Sequence, residues 1–195
     1  MNRPAEVGRF HSPDEVAYSL TTLAKKRGLD QLRVSGGEPT IGKLHLLQLL
    51  DRLEGKGYRF ILETNGISIA CDEDYAEEIS KYGFVHVRVS LKGCNEDEFS
   101  ILTGAKPEGF KLQLKSLERL VKADVSCHPS IMASFSPREN LDSLIERLGR
   151  MSPELARDVE IEELIPYPHV LNRIQKYGLK YYSACTPEKV PPESN

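Results

Sequence analysis

The feature of this sequence that most constrains its fold is the regular alternation of strand-like and helix-like segments. Five strand-like segments end near Ser35, Thr64, Leu91, Ala133 and Ile165, and successive ends are 29, 27, 42 and 32 residues apart. Each interval is long enough for one helix and its two connections, as in a series of βα units. The spacing therefore predicts a parallel sheet with right-handed crossovers.

The strands have two different faces, and this decides between an open sheet and a barrel. Apolar and polar residues alternate in four segments, at 31–35, 85–92, 125–134 and 159–162. Central strands of an open sheet with helices on both faces would be apolar throughout. We therefore predict an α/β partial (βα) barrel with parallel strands, outer helices and a polar lumen. The alternative, antiparallel strands with a solvated face, conflicts with the helices between the strands.

The polar strand faces contain charges of both signs, and buried charges need partners. Five residues are expected to pair in the lumen, namely Arg33, Glu63, Arg88, Glu160 and Glu162. His128 lies deeper in its strand, where we expect a hydrogen bond to Glu160 or Glu162 rather than a catalytic role.

Helix signals and chain ends suggest one domain with a tail. The first helix is predicted to start at Ser12, with Pro13 at its first position and Glu15 completing a capping box, and to end at Gly28. Residues 1–170 are predicted to form the domain and residues 171–195 a C-terminal tail. The last ten residues, TPEKVPPESN, are predicted to fray.

Charge and hydropathy favour a cytoplasmic protein without a nucleic-acid or membrane partner. The formal net charge is -3, which offers no electrostatic attraction to either. No apolar run approaches the ~20 residues of a membrane span, and the N-terminal residues lack the apolar segment of a signal peptide. The four cysteines, at positions 71, 94, 127 and 185, match no metal-binding spacing and are expected to be free thiols.

The strand ends carry the residues expected to bind a ligand, since functional groups gather at the carboxyl ends of parallel strands. After the first of the five strands, which ends near Ser35, comes SGGEPT, whose glycines allow a ligand to approach the main chain closely. Glu38 could bind an ammonium group, and Pro39 restricts Glu38 to extended backbone. The next strands end in ETNG, SLKG, MASFS and LIPYPH. A tight turn with an exposed acid is the alternative interpretation of GGEP.

Together, GGEP, TNG and Ser-Leu-Lys at these three strand ends resemble the radical S-adenosylmethionine (SAM) enzymes, and the resemblance extends from about Phe10 to Tyr167. It implies a partial (βα)6 barrel similar to that of activating enzymes. It also implies that the methionine moiety of SAM binds at Gly36, Gly37, Glu38 and Pro39. The SAM carboxylate and ribose would bind at Thr64, Asn65, Ser90 and Lys92. The adenine would lie near Met132, Ser134, Ile165 and Tyr167.

The resemblance also implies a [4Fe–4S] cluster held by CxxxCxxC after the first strand of the family fold, and this sequence has no such motif. We therefore expect an N-terminally truncated domain without the family's first strand. The intact enzyme would cleave SAM reductively as an oxidoreductase, and this chain alone would be inactive.

Two other functions remain open at the sequence level. The chain could be a non-catalytic module that binds a partner or forms a homodimer along an exposed sheet edge. It could also be a cluster-free βα-barrel lyase or isomerase that uses Lys92 and Glu63 for acid–base or Schiff-base chemistry. The sequence does not identify a substrate, which could be a protein or a small molecule.

Overall fold

The computed structural model describes residues 8–185 and shows one parallel sheet with helices packed against it. The strands are β1 Gln31–Val34, β2 Arg59–Thr64, β3 Val85–Lys92, β4 Cys127–Met132 and β5 Glu160–Glu162. The α-helices are α1 Pro13–Arg27, α2 Lys43–Leu53, α3 Ile67–Cys71, α4 Tyr75–Ser80, α5 Glu96–Thr103, α6 Glu108–Lys122, α7 Arg138–Met151, α8 Pro153–Arg157 and α9 Pro168–Lys176. Short 3-10 helices span Pro39–Gly42 and Ala133–Phe135.

The strands are ordered β1-β2-β3-β4-β5, and every neighbouring pair is parallel. Successive right-handed crossovers in this order place the helices on one side of the sheet, as in a barrel. The other side is then left for the polar side chains. The predicted fold class, an α/β partial barrel with outer helices, is confirmed.

The core lies between the apolar face of the sheet and the helices. Phe60, Leu62, Val87 and Val89 are fully buried on the central strands. Helix α6 packs against β3 and β4, and its buried apolar residues are Phe110, Leu114, Leu117 and Leu120. Burying this face supplies most of the driving force for folding, because the hydrophobic effect scales with apolar area removed from water.

The predicted start of the first helix is confirmed in detail. The Ser12 hydroxyl accepts a hydrogen bond from the Glu15 amide, and the Glu15 carboxylate accepts one from the Ser12 amide. Gly28 follows the helix in the left-handed conformation, with φ of 64°. Its amide donates to carbonyl oxygens of the last turn, which closes the helix.

Three helices of the structure, α3, α8 and α9, were not predicted from the sequence. Helix α9 begins with Pro168 and is followed by Gly178 in the left-handed conformation, so its boundary signals were present. Strand β5 is three residues long and ends at Glu162, three residues before the predicted strand end near Ile165. Residues 186–195, which are predicted to fray, lie outside the described residues.

None of the helices within residues 8–185 is long and apolar enough to cross a membrane.

Candidate functional site

The carboxyl ends of β1, β2 and β3 bring the predicted loops to one edge of the sheet. Gly36 and Gly37 follow β1 with φ of 88° and 57°, a region that other residues adopt only with strain. A Cβ atom at either glycine would meet nothing within 4 Å. Glycine is therefore required at both positions by the positive φ angle and not by close packing. The space beside the main chain of Gly36 and Gly37 is open.

Glu38 fastens the glycine loop to the end of β2. Its Oε1 accepts hydrogen bonds from the Thr40 hydroxyl at 2.6 Å, the Thr40 amide at 3.1 Å and the Thr64 hydroxyl at 2.7 Å. Its Oε2 accepts one from the Asn65 amide at 2.7 Å. Oε2 accepts one hydrogen bond within the described residues, against three at Oε1, so it has capacity for a further donor. The predicted site residues Glu38, Thr64 and Asn65 are thus brought together.

Gln113 of α6 holds the ends of β2 and β3 in a fixed relation. Its Nε2 donates to the carbonyl of Asn65 at 3.1 Å and to that of Ser90 at 2.7 Å. The side chain is buried, and its Oε1 has no partner among the described residues. The sequence analysis missed this residue, although a glutamine on the apolar face of an amphipathic helix was a visible signal.

Arg88 is the centre of the polar face of the sheet. It is buried and donates to Glu160 at 2.7 Å and 2.9 Å, to Ser130 at 2.7 Å and to Glu162 at 2.6 Å. Glu63 lies 3.4 Å from Arg88 and also pairs with Arg33. The expected pairing of the luminal charges is therefore observed.

These contacts shift the acid–base equilibria of the carboxylates. The hydrogen bond from Arg88, with a further one from His128, lowers the pKa of Glu160 to about 2. Burial opposes ionisation of Glu162, but Arg88 and Lys92 outweigh it and lower the pKa of that carboxyl. Lys92 Nζ lies 3.3 Å from Glu162. Lys92 and Glu63, the acid–base candidates of the lyase alternative, are thus both engaged in ion pairs.

A stacked histidine pair occupies the opposite, amino end of the lumen. His86 Nε2 lies 2.6 Å from His128 Nδ1, with ring centroids 4.9 Å apart. His128 Nε2 lies 3.1 Å from Glu160, which confirms the expected bond. Because the ionised carboxylate only accepts, we assign a proton to His128 Nε2 and to His86 Nε2, with Ser126 donating to His86 Nδ1.

On the side expected to approach the adenine, Met132 is partly buried at the end of β4. Ser134 is completely buried, and its hydroxyl accepts from the Leu164 amide at 2.8 Å. Its carbonyl accepts from the Tyr182 amide at 2.7 Å. Ser134 therefore holds the chain that follows β5, and that chain includes Ile165 and the exposed Tyr167.

The cysteines do not form a cluster site in the part of the chain that the structure describes. Within residues 8–185, no group of three or more His, Cys, Asp or Glu residues is placed to hold a metal ion. Cys71 is exposed, and burial raises the pKa of the Cys94 thiol to about 11 and that of Cys127 to about 12. Since the thiolate is the metal ligand, these residues do not fit a [4Fe–4S] cluster.

The sequence matches the family model of the Radical SAM superfamily over residues 2–150. The chain belongs to the radical SAM superfamily. The glycine loop, its glutamate and the TNG turn therefore lie on a radical SAM domain, at the carboxyl edge of its sheet.

Curated relatives of this radical SAM chain include enzymes named GTP 3',8-cyclase. The protein from Peptoclostridium acidaminophilum is 28% identical over 156 residues, which cover 78% of this chain and 44% of that protein. A probable GTP 3',8-cyclase from Methanococcus vannielii is 32% identical over 110 residues, or 56% of this chain and 35% of that protein. The chain thus spans less than half the length of these two relatives.

Solved radical SAM structures have the same fold. Streptococcus suis SuiB bound to S-adenosylmethionine superposes with a TM-score of 0.64 at 16% identity, over 94% of this chain and 45% of SuiB. Native anSMEcpe with bound AdoMet gives a TM-score of 0.62 at 17% identity, over 85% of this chain and 49% of that one.

Proposed function

We propose that the carboxyl edge of this sheet binds SAM, with the methionine moiety at Gly36, Gly37, Glu38 and Pro39. The observation that carries the proposal is the glycine loop itself. It exposes main-chain groups at two positive-φ positions and is anchored by Glu38. Glu38 Oε2 has acceptor capacity for an ammonium group, and such charge-assisted bonds are among the stronger ones in proteins.

The remaining SAM contacts follow the order of the strands. Thr64, Asn65, Ser90 and Lys92 are proposed to hold the carboxylate and ribose. Lys92 lies at the end of β3 with its ammonium 3.3 Å from one carboxylate, that of Glu162. An ammonium group has three donors, so it can also bind the SAM carboxylate. The adenine is proposed to lie beside Met132, Ile165 and Tyr167. The buried Ser134 holds the segment that contains Ile165 and Tyr167 in place through its hydrogen bond with the Leu164 amide.

In the family reaction, a [4Fe–4S] cluster supplies the electron that cleaves SAM. The cysteines described here do not fit such a cluster, so we propose that this chain by itself binds SAM without cleaving it.

The substrate class of the whole enzyme is a further proposal. Relatives are named GTP 3',8-cyclases, and SuiB is solved bound to a precursor peptide, so a nucleotide and a peptide are both candidates. The activating-enzyme likeness stays a prediction.

Calorimetric titration of SAM into the purified chain tests the site. Gly37→Ala should weaken SAM binding about tenfold or more, because a side chain strains the loop and blocks the open main chain. Gly55→Ala is the matched control. Gly55 also has positive φ, at 69°, with open space around it, but it lies in the α2–β2 loop at the other edge. Absence of SAM binding to the parent chain, or equal loss in both variants, would refute the proposed site.

A homodimer through a sheet edge is the second candidate function. Strand β1 is an edge strand of the described sheet, and unpaired strand edges can add a further strand. Ile41 and Leu44, close to this strand in sequence, are 78% and 71% exposed. Sedimentation velocity over a hundredfold concentration range tests this candidate. A sedimentation coefficient that stays at the monomer value would exclude it.

A further inference from the structure

A cavity of about 670 Å³ lies beside the carboxyl ends of β3 and β4, between α5 and α9. Its size is typical of small-molecule sites. Its walls include Ile101 and Leu102 of α5, Met132 at the end of β4, and Ile174 of α9. Most of the lining is therefore apolar, and the cavity borders the strand end that carries Lys92.

Large apolar side chains around this cavity remain in contact with water. Ile101 is 66% exposed and Tyr177 is 65% exposed. Both residues also line an adjoining cavity of about 510 Å³, whose wall includes Tyr182, itself 64% exposed. Clusters of exposed apolar groups around a cavity are typical of ligand sites.

The charged side chains that line the 670 Å³ cavity have one sign. Lys92 and Arg173 line it, and none of the described lining residues is acidic. Arg173 makes no ion pair with any residue in the range 8–185, and Lys92 has only the 3.3 Å contact to Glu162. An apolar cavity lined by Arg173, a cation unpaired among the described residues, and by Lys92, whose ammonium has donors beyond its contact with Glu162, is complementary to an organic anion.

We propose that this cavity binds a small organic anion with a flat apolar body, its acidic group facing Arg173 and Lys92. The assignment of this anion as the substrate rests on the proposed SAM site, because Lys92 lines the cavity and is also a proposed SAM contact. The anion-binding site itself rests only on the cavity and its charges. A carboxylate, a phosphate or a sulfonate satisfies the same chemistry.

Two fluorescent probes that differ in one charged group test the proposal. 8-Anilinonaphthalene-1-sulfonate has an aromatic body and a sulfonate, and N-phenyl-1-naphthylamine has the same type of body without the charge. The parent chain should bind the sulfonate at least about tenfold more tightly, as expected for one charge-assisted hydrogen bond. Competition by GTP, by guanosine and by an uncharged hexapeptide then separates a nucleotide anion from a peptide.

Arg173→Glu should remove the preference for the sulfonate and leave binding of the uncharged probe unchanged. Lys176→Glu is the matched control, since Lys176 lies on the same helix but contacts the Tyr177 ring and does not line the cavity. Equal affinity of the parent for both probes, equal losses in the two variants, or displacement of the sulfonate by the peptide and not by GTP would overturn the proposal. So would competition by guanosine as strong as that by GTP.

SAM titrations of the same preparations separate this proposal from the SAM site. SAM binding should be unaffected by Arg173→Glu, because Arg173 is outside the proposed SAM contacts. If SAM fails to bind while the sulfonate depends on Arg173, the anion site stands and the proposed function fails. If SAM binds but the probes do not differ, the anion site fails and the proposed function stands.

Discussion

Arg88 makes polar contacts with side chains of three other strands, and one residue therefore links most of the lumen. Its partners are Glu63 on β2, Ser130 on β4, and Glu160 and Glu162 on β5. Burial of a guanidinium is costly, and several hydrogen bonds are needed to offset the desolvation. The hydrogen bond to Glu160, with that to Glu162, raises the pKa of Arg88 above its ordinary value despite burial.

Arg88→Met should lower the free energy of unfolding by about 3–5 kcal/mol, because it leaves carboxylates without their cation. Arg33→Met is the matched control. Arg33 also pairs with Glu63 but is half exposed, so its loss should cost about 0–1 kcal/mol. Urea denaturation at pH 7 measures both. Equal effects of the two substitutions would show that Arg88 does not organise the lumen.

The histidine pair predicts a pH dependence of stability. Burial, followed by the charge of His128 and that of Arg59, lowers the pKa of His86 to about 4, and Asp158 opposes this shift. Between the ordinary value of 6.5 and about 4, the unfolded chain binds a proton that the folded chain does not. The stability that depends on neutral His86 is therefore complete above pH 6.5 and is lost as the pH falls toward 4.

Thermal unfolding between pH 6.5 and 4.5 measures this effect, which should amount to about 1–2 kcal/mol. His86→Gln should remove that part of the pH dependence, whereas His169→Gln, at an exposed position, should retain it. Glu160 stays ionised throughout this range because its pKa is about 2. A pH profile of His86→Gln that superposes on that of the parent would contradict the account.

At the scale of elements, α6 connects the helix layer to the site. Gln113 supplies two N–H donors, and the carbonyls of Asn65 and Ser90 use both. One turn later, Ser116 lies directly against Gly66, where a Cβ atom would clash with its hydroxyl. The helix therefore sets the separation between the TNG turn and the end of β3.

Gln113→Met preserves the side-chain volume but removes both donors. We expect a loss of about 1–3 kcal/mol in unfolding free energy, from two buried carbonyls without partners, and a parallel loss of SAM affinity. Leu120→Val, two turns away on the same buried face, should cost about 0.5–1.5 kcal/mol and leave SAM affinity unchanged. If the Leu120 variant weakens SAM binding as much as the Gln113 variant, α6 does not position the site specifically.

At the scale of the whole molecule, the sequence predicts the features that depend on local patterns. The parallel sheet follows from the strand spacing, and the luminal pairing of Arg88 with Glu160 follows from alternation along two strands. Positive φ at Gly36 and Gly37 follows from the absence of a side chain. Arg88 and Glu160 are 72 residues apart in sequence, but alternation assigns each side chain to the luminal face of its own strand, and the parallel order of the strands brings those faces together.

Features that depend on which elements meet in space are not predictable in this way. The contact of Gln113 with Asn65 joins residues 48 apart in sequence, and that of His86 with His128 joins residues 42 apart. The role of Ser134 depends on the path of the chain after β5. No local pattern specifies these distances, since they are set by the packing of whole helices and strands.

The most direct test of the SAM site is hydrogen–deuterium exchange of the full chain with and without saturating SAM. SAM should slow exchange in residues 35–42 and 64–67 and at the end of β3, because it covers these backbone amides at the carboxyl edge of the sheet. Exchange in residues 54–58, at the opposite edge, should not change. Protection confined to the amino edge around His86, or no protection at all, would contradict the account.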